Sequence, residues 1–436
     1  MLAETTTRLP ATPSAPERGE QDQAAAETGS GQPGPGPRPR VEVVDALRGV
    51  AALVVLLQHG AELLWQSYGR WSVEVFRPGE WGVFVFFLVS GFVIPLSIER
   101  DRNPVSFWIG RAFRLFPLYW AALAAALVLV ALDVYPVAAE VSAQPVKEVL
   151  FNLTMVQNFL GSPNIIGAAW SLAYEMVFYL FITVMLTTGT RGGAVKATVL
   201  TLLASITIGL LVAPRYLTNR ADSQNLLVVL GLVAAGLVLV LPRIESLQAR
   251  IIGGAAVLAT VVLTVNQPLD LWFSLLLFAT IGCGWVYHEA HLGRVPAWVP
   301  VALSAGTVLL AAYHLRRWVQ PHEGLWGATV TWRPDTLTLA AAHLAFGLVY
   351  LARYRRFPWV LRWLGQISYS VYLVHALVIH TFHPFSGRPV LTFACWVGVT
   401  LAISSVTYRL VEVPAQNAGR HLRRLYRARQ PDPAPA

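Results

Sequence analysis

Long apolar runs recur along the chain from Val43 onward, each closed by a short polar or basic segment. About twenty predominantly apolar residues are what an α-helix needs to cross the hydrocarbon core of a bilayer. The pattern predicts twelve candidate spans, at residues 43–65, 81–98, 116–132, 169–186, 194–212, 226–241, 251–265, 269–287, 296–313, 336–352, 366–382 and 389–411. The fold class is therefore all-α: a polytopic transmembrane helix bundle of ten to twelve spans. Residues 149–160 are too short to span and read as interfacial or re-entrant. The segment between the second and third spans, ERDRNPVSFWIGRAFR, reads as a charged, amphipathic connection. No internal repeat is visible.

The termini differ from the spans. Residues 1–40 are rich in Pro, Gly, Ala, Glu and Gln and poor in aromatics, so they are expected to form a disordered cytoplasmic tail. They lack an apolar signal-peptide core. Residues 41–414 form the membrane domain, and residues 415–436 a basic cytoplasmic tail. Arginines gather between alternate spans: Arg100 with Arg102, Arg111 with Arg114, Arg191, Arg243 with Arg250, Arg294, and Arg353 to Arg356. That bias is the positive-inside pattern and puts both termini in the cytoplasm. The loop 313–335 dissents, because Arg316, Arg317 and Arg333 would lie outside.

Composition agrees. The chain has 436 residues, of which 55% are hydrophobic and 13% charged, against about 25% charged in soluble chains. Its formal charge of +9 does not imply a nucleic-acid partner, since the basic residues are dispersed between apolar runs. The two cysteines, Cys283 and Cys395, lie in apolar runs and give neither a disulfide framework nor a zinc site. His288 and His291 do not have the H-E-x-x-H spacing and read as loop residues, so no metal site is expected.

Ionisable residues inside the spans are costly and mark function. In VDALRGVAALVVLLQHG, Arg48 and His59 stand eleven residues apart, about three turns, so they share one helix face. Asp45, three residues before Arg48, can pair with it locally or anchor the helix. Glu175 is a carboxylate within AWSLAYEMVFYL, either functional or a partner for an Arg or Tyr in the bundle. Arg111 and Arg114 share a face before Pro117; they are either an interfacial anchor or a phosphate clamp. In LGQISYSVYLVHALVIHTFH, the residues Ser368, Tyr372 and His375 fall on one face, with Tyr369 one position round.

Six segments taken together, DALRGVAALVVLLQH, FFLVSGFVI, GRAFRLFPLYW, WSLAYEMVFYL, GQISYSVYLVH and YRLVEVPA, resemble the acyltransferase 3 family of integral membrane O-acyltransferases. The resemblance covers residues 43–414. It departs from the family at Met176, where a second acidic residue is common, and at Gly110, where a basic residue often precedes R-x-x-R. It also implies no appended esterase-like domain in a chain that stops soon after Pro414. The resemblance implies transfer of a short acyl group from acyl-CoA, the donor substrate, to a hydroxyl of a sugar-containing acceptor, with no bound cofactor. The acceptor expected is an antibiotic sugar, such as a macrolide sugar, or a cell-surface glycan. The resemblance implies His59, Glu175 and Arg48 as catalytic residues, with Glu175 orienting His59 or activating the acceptor. It implies Arg111, Arg114, Ser368, Tyr369, Tyr372 and His375 as substrate-binding residues. A proton-coupled transporter or flippase of a glycan intermediate is the competing class, since intramembrane His and Glu also suit proton coupling.

Overall fold

The computed structural model describes residues 42–100, 102–189, 193–210, 223–244, 246–355 and 357–429. The tail expected over residues 1–40 lies outside the described residues, as do Arg191 and Arg356 of the expected basic loops. The described residues are helical almost throughout. The long helices are α1 (Glu42–Leu64), a short α2 (Gln66–Glu74), α3 (Pro78–Arg100), α4 (Pro104–Ala131), α5 (Trp170–Thr187), α6 (Ala194–Ile206) and α7 (Ser223–Val240). They continue as α8 (Leu247–Val265), α9 (Leu271–His291), α10 (Trp298–Trp318), α11 (Trp332–Leu351), α12 (Trp359–Thr381), α13 (Pro389–Thr407) and α14 (Val413–Ala428).

Among the described residues nine helical segments are long and apolar enough to cross a membrane: α1, α3, α4, α5, α8, α9, α10, α11 and the α13–α14 run. α6 and the described part of α7 are shorter apolar helices. α12 is absent from the nine despite its length, because its Ser, Tyr and His residues lower its hydropathy. It is nevertheless buried through most of its length, which is where a polar helix belongs in a membrane bundle.

Two glycine contacts set the centre of the bundle. α1 and α12 form the most extensive helix pair. A Cβ on Gly365 would lie 2.1 Å from the Asp45 carbonyl oxygen, and one on Gly49 would lie 2.5 Å from the Gly365 nitrogen. The same closeness recurs between α3 and α9: a Cβ on Gly91 would lie 1.8 Å from the Ile281 carbonyl oxygen, and one on Gly284 would lie 2.0 Å from that of Leu88. Small residues at such crossings let backbones approach, which replaces the hydrophobic drive that lipid cannot supply.

The expected connection before the third span is part of α4 itself. The Asn103 side chain accepts from the Val105 and Ser106 amides at 2.9 and 3.1 Å, and Pro104 occupies the first turn. This cap starts the helix well before its apolar part. Residues 149–160 form short pieces, the end of a helix at Pro145–Leu153 and a 3-10 turn at Gln157–Leu160. His288 is not a loop residue: it lies in α9, fully buried, with Nε2 3.6 Å from Glu99. Arg294 closes that cluster at 2.6 Å from Glu99.

The end of the bundle that carries Leu64 is covered by α2 and a strand pair, β1 (His322–Glu323) with β2 (Thr329–Val330), in the register His322↔Val330. Trp326 sits between the strands at φ 60°, and its carbonyl accepts two bonds from Arg70 at 3.1 and 3.3 Å. The dissenting arginines find a place here: Arg316 and Arg317 belong to the last turn of α10, and Arg317 and Arg333 stack on Trp318 and Trp332.

Candidate functional site

α1, α3, α4, α5 and α12 enclose a cavity of about 50 Å³. Its polar lining is Arg48 from α1, Ser90 from α3, Arg111 and Arg114 from α4, Ser171 and Glu175 from α5, and Tyr369 and Tyr372 from α12. Three arginines and one carboxylate thus line it. Arg111 donates to Ser97 at 2.9 Å and lies 5.3 Å from the centre of the Tyr179 ring. Arg48 and Arg114 make no side-chain hydrogen bond among the described residues. Glu175 accepts from Ser90 at 3.1 Å and from the Tyr179 hydroxyl, so the tyrosine-partner reading of this carboxylate has a structural counterpart.

His59 is not in the cavity lining. It meets His375, with Nδ1 3.0 Å from His375 Nε2 and the two rings parallel within 4°. Gly49 and Gly365 touch on α1 and α12, and His59 and His375 each come ten residues after them. Two helices running the same way from one point of contact bring equivalent positions together again further along.

The proton positions follow from the neighbours. His375 Nδ1 lies 3.1 Å from the Val371 carbonyl, which only accepts. His375 Nδ1 therefore carries the hydrogen, and its Nε2 offers a lone pair. His59 Nδ1 must donate to that lone pair, which leaves His59 Nε2 unprotonated and available as a base. Nε2 has no partner among the described residues.

Between cavity and histidines stands Tyr372. It lines the cavity, shares a hydrogen bond of 2.7 Å with Ser171, and has its ring centre 6.0 Å from that of His375. Contacts lead from the cavity through Tyr372 to His375, and from His375 across to His59. Glu175 is not hydrogen-bonded to His59: its oxygens face α3 and Tyr179, and the imidazole is held by His375 instead. Ser368 is also apart, because its hydroxyl donates to the Gly365 carbonyl at 2.8 Å. Tyr369 lines the cavity while donating to the Leu115 carbonyl at 2.9 Å.

Gln58, which the sequence places beside His59, and two residues that the span pattern does not single out, Ser171 and Glu412, complete the region. Ser171 holds Tyr372. Gln58, beside His59, donates to Glu62 at 2.6 Å and accepts from the Gly79 amide at 2.6 Å. Glu412 is 4% exposed, ends the π-helical turn Tyr408–Glu412, and accepts from the Ser370 hydroxyl. π-turns inside helices often mark functional positions. The sequence places Glu412 at the end of an apolar run, within the segment YRLVEVPA, but gives no spacing that ties it to the other polar residues.

Among the described residues no group of three or more His, Cys, Asp or Glu side chains is arranged to hold a metal ion. A family profile described as "Acyltransferase domain" matches residues 41–409. The chain belongs to the acyltransferase 3 family. Within it the chain is similar to Acyltransferase MdmB of Streptomyces mycarofaciens, 31% identical over 31% of this chain and 36% of that protein. It is similar to Nodulation protein 10 of Rhizobium leguminosarum bv. viciae, 29% identical over 33% of this chain and 43% of that protein. The match thus spans less than half the length of either relative. The similarity to Exopolysaccharide production protein ExoZ of Rhizobium meliloti (strain 1021) is broader, 26% identical over 79% of this chain and 92% of that protein. No solved structure shows a significant match. The acyltransferase 3 chain described here is a multi-pass membrane protein whose family segment contains Arg48, His59, Arg111, Arg114, Glu175, Tyr372 and His375.

Proposed function

We propose that the chain is a membrane O-acyltransferase that moves a short acyl group from acyl-CoA to a hydroxyl of a sugar-containing acceptor. The observation that carries the reading is the hydrogen-bond chain Val371–His375–His59, which leaves a basic nitrogen in the half of the bundle away from an arginine-lined cavity. Family membership selects the acyltransferase over the transporter.

The donor's phosphates meet Arg111, Arg114 and Arg48, whose guanidinium groups suit phosphate oxygens. The cavity is small, about 50 Å³, so the pantetheine arm enters by displacing long side chains. His59 Nε2 takes the proton of the acceptor hydroxyl as the oxygen attacks the thioester carbonyl. The carbon–sulfur bond breaks, and the proton then passes from His59 to the departing coenzyme A thiolate. Arg48 or Tyr372 stabilises the negative charge that develops on the carbonyl oxygen. Glu175 keeps Ser90, in the cavity wall, and Tyr179 in place.

The arginine-rich end of the bundle lies in the cytoplasm of the cell, with both termini on that side. The acceptor then approaches from the Leu64 end. The breadth of the similarity to Exopolysaccharide production protein ExoZ supports a cell-surface glycan as the acceptor; an antibiotic sugar is the second candidate, on the similarity to Acyltransferase MdmB.

The test is acyl transfer from labelled acetyl-CoA by the full chain in nanodiscs, with an exopolysaccharide or a macrolide as acceptor. His59→Ala should lower the rate by about a hundredfold or more, as loss of a general base does, with expression and membrane insertion unchanged. Wild-type rates in that variant would remove the mechanism.

A further inference from the structure

We propose that Arg423 binds a phosphate at the nucleotide end of the acyl-CoA donor, extending the Arg48–Arg111–Arg114 cavity with a residue from α14; this rests on the donor reading above. α14 carries Arg420, Arg423, Arg424 and Arg427 within its last three turns. Helical spacing turns them different ways: Arg420, Arg424 and Arg427 are exposed, while Arg423 is half-buried against α4.

Two glycines explain the docking. A Cβ on Gly419 would lie 2.6 Å from the Phe113 Cβ, and a Cβ on Gly110 would lie 3.2 Å from Arg423 Nη1 and 3.4 Å from its Cζ. Position 113 thus meets 419 and position 110 meets 423, so the two helices run antiparallel. The Arg423 guanidinium occupies the space that a side chain at 110 would fill.

Gly110 immediately precedes Arg111 and stands one turn before Arg114 on the same face. It is about 6 Å nearer the Asn103 end of α4 than Arg114 is. Arg423 therefore continues the arginine row outward from the cavity.

A coenzyme A thioester is polar and polyanionic at one end and reactive at the other. A cavity of about 50 Å³ cannot contain the nucleotide, so that end must lie beyond the mouth. A guanidinium there, in line with two more, suits a phosphate through paired charge-assisted bonds. The same chemistry would suit the phosphate of an anionic lipid, so the test separates the two.

Binding of coenzyme A, dephospho-coenzyme A and pantetheine to the full chain is measured in nanodiscs of phosphatidylcholine alone and of phosphatidylcholine with phosphatidylglycerol. In Arg423→Ala, coenzyme A should bind about tenfold more weakly in both lipids, the loss of one strong charged contact. Pantetheine should bind as it does to the wild type. Arg424→Ala, on the exposed face, should leave coenzyme A binding unchanged. Arg423→Gln, which keeps the length of the side chain, serves if the alanine variant does not fold.

Equal weakening for coenzyme A and pantetheine would mean a structural role and overturn the assignment alone. A coenzyme A affinity that Arg423→Ala leaves intact, with loss only of phosphatidylglycerol dependence, assigns Arg423 to lipid and overturns it too. Wild-type protein that binds no coenzyme A overturns the donor reading itself, and the assignment with it.

Discussion

A backbone carbonyl can only accept, so the bond from His375 Nδ1 to Val371 decides where the hydrogens sit on two imidazoles. In the proposed mechanism this separates the roles: His59 is to present the base, and His375 to position it. The test is a pair of isosteric changes. In His375→Gln the amide oxygen can take the place of the Nε2 acceptor, so kcat should stay within about tenfold of wild type. His375→Asn mimics only Nδ1, leaves His59 Nδ1 without its acceptor, and should lower kcat about a hundredfold, the range of a misaligned general base. KM for the donor should be unchanged in both; equal losses would reduce His375 to packing. Much at this scale was readable from spacing. Three turns separate Arg48 from His59, and the structure uses both ends of that face, one in the cavity and one at His375. What spacing cannot reveal is the direction of a hydroxyl. Ser368 shares a face with Tyr372 and His375, yet its hydroxyl rotates back to the Gly365 carbonyl. Glu412 was missed because the π-turn that buries it changes the helical register at that point.

α1 and α12 supply the histidines only because nothing larger than hydrogen stands at Gly49 and Gly365. Gly365→Ala would put a methyl 2.1 Å from the Asp45 carbonyl, so the helices must part. The expected cost is about 1–3 kcal/mol, typical of overpacking, read as a lower thermal midpoint in detergent with activity lost in parallel. Gly398→Ala on α13 is the control. No atom lies within 4 Å of its added Cβ, and alanine is the better helix former by about 1 kcal/mol, so the midpoint should hold or rise. If both variants behave alike, the glycine contact does not determine the pairing. The hydropathy pattern locates α1 to within a residue but starts α12 at 366, seven residues late and one past Gly365, and it says nothing of which two touch, because glycine carries no hydropathy signal of its own. It also divides α4 wrongly. The amphipathic residues 104–115 look like a connection, yet Asn103 and Pro104 cap one helix that runs on to Ala131.

Seen whole, the bundle keeps Arg48 of its cavity and the His59 imidazole in different halves, about 16 Å apart along α1 by helical rise, with Tyr372 and His375 between. A polytopic helical bundle was legible from apolar runs alone, since a bilayer permits little else. The convergence of α1, α3, α4, α5 and α12 on one cavity was not, because it depends on contacts between segments up to some three hundred residues apart, such as Ser171 with Tyr372 and His59 with His375. The imidazole row has a last consequence. It ends on the carbonyl of Val371, which has no hydrogen to pass on. A proton taken up by His59 therefore has no exit through the row and must leave by the nitrogen at which it entered. On the proposed mechanism, the catalytic cycle then carries no charge from one face of the bilayer to the other. In proteoliposomes bearing a potassium diffusion potential, acyl transfer should proceed at the same rate for either polarity, and a rate that follows the voltage would mean that the row conducts.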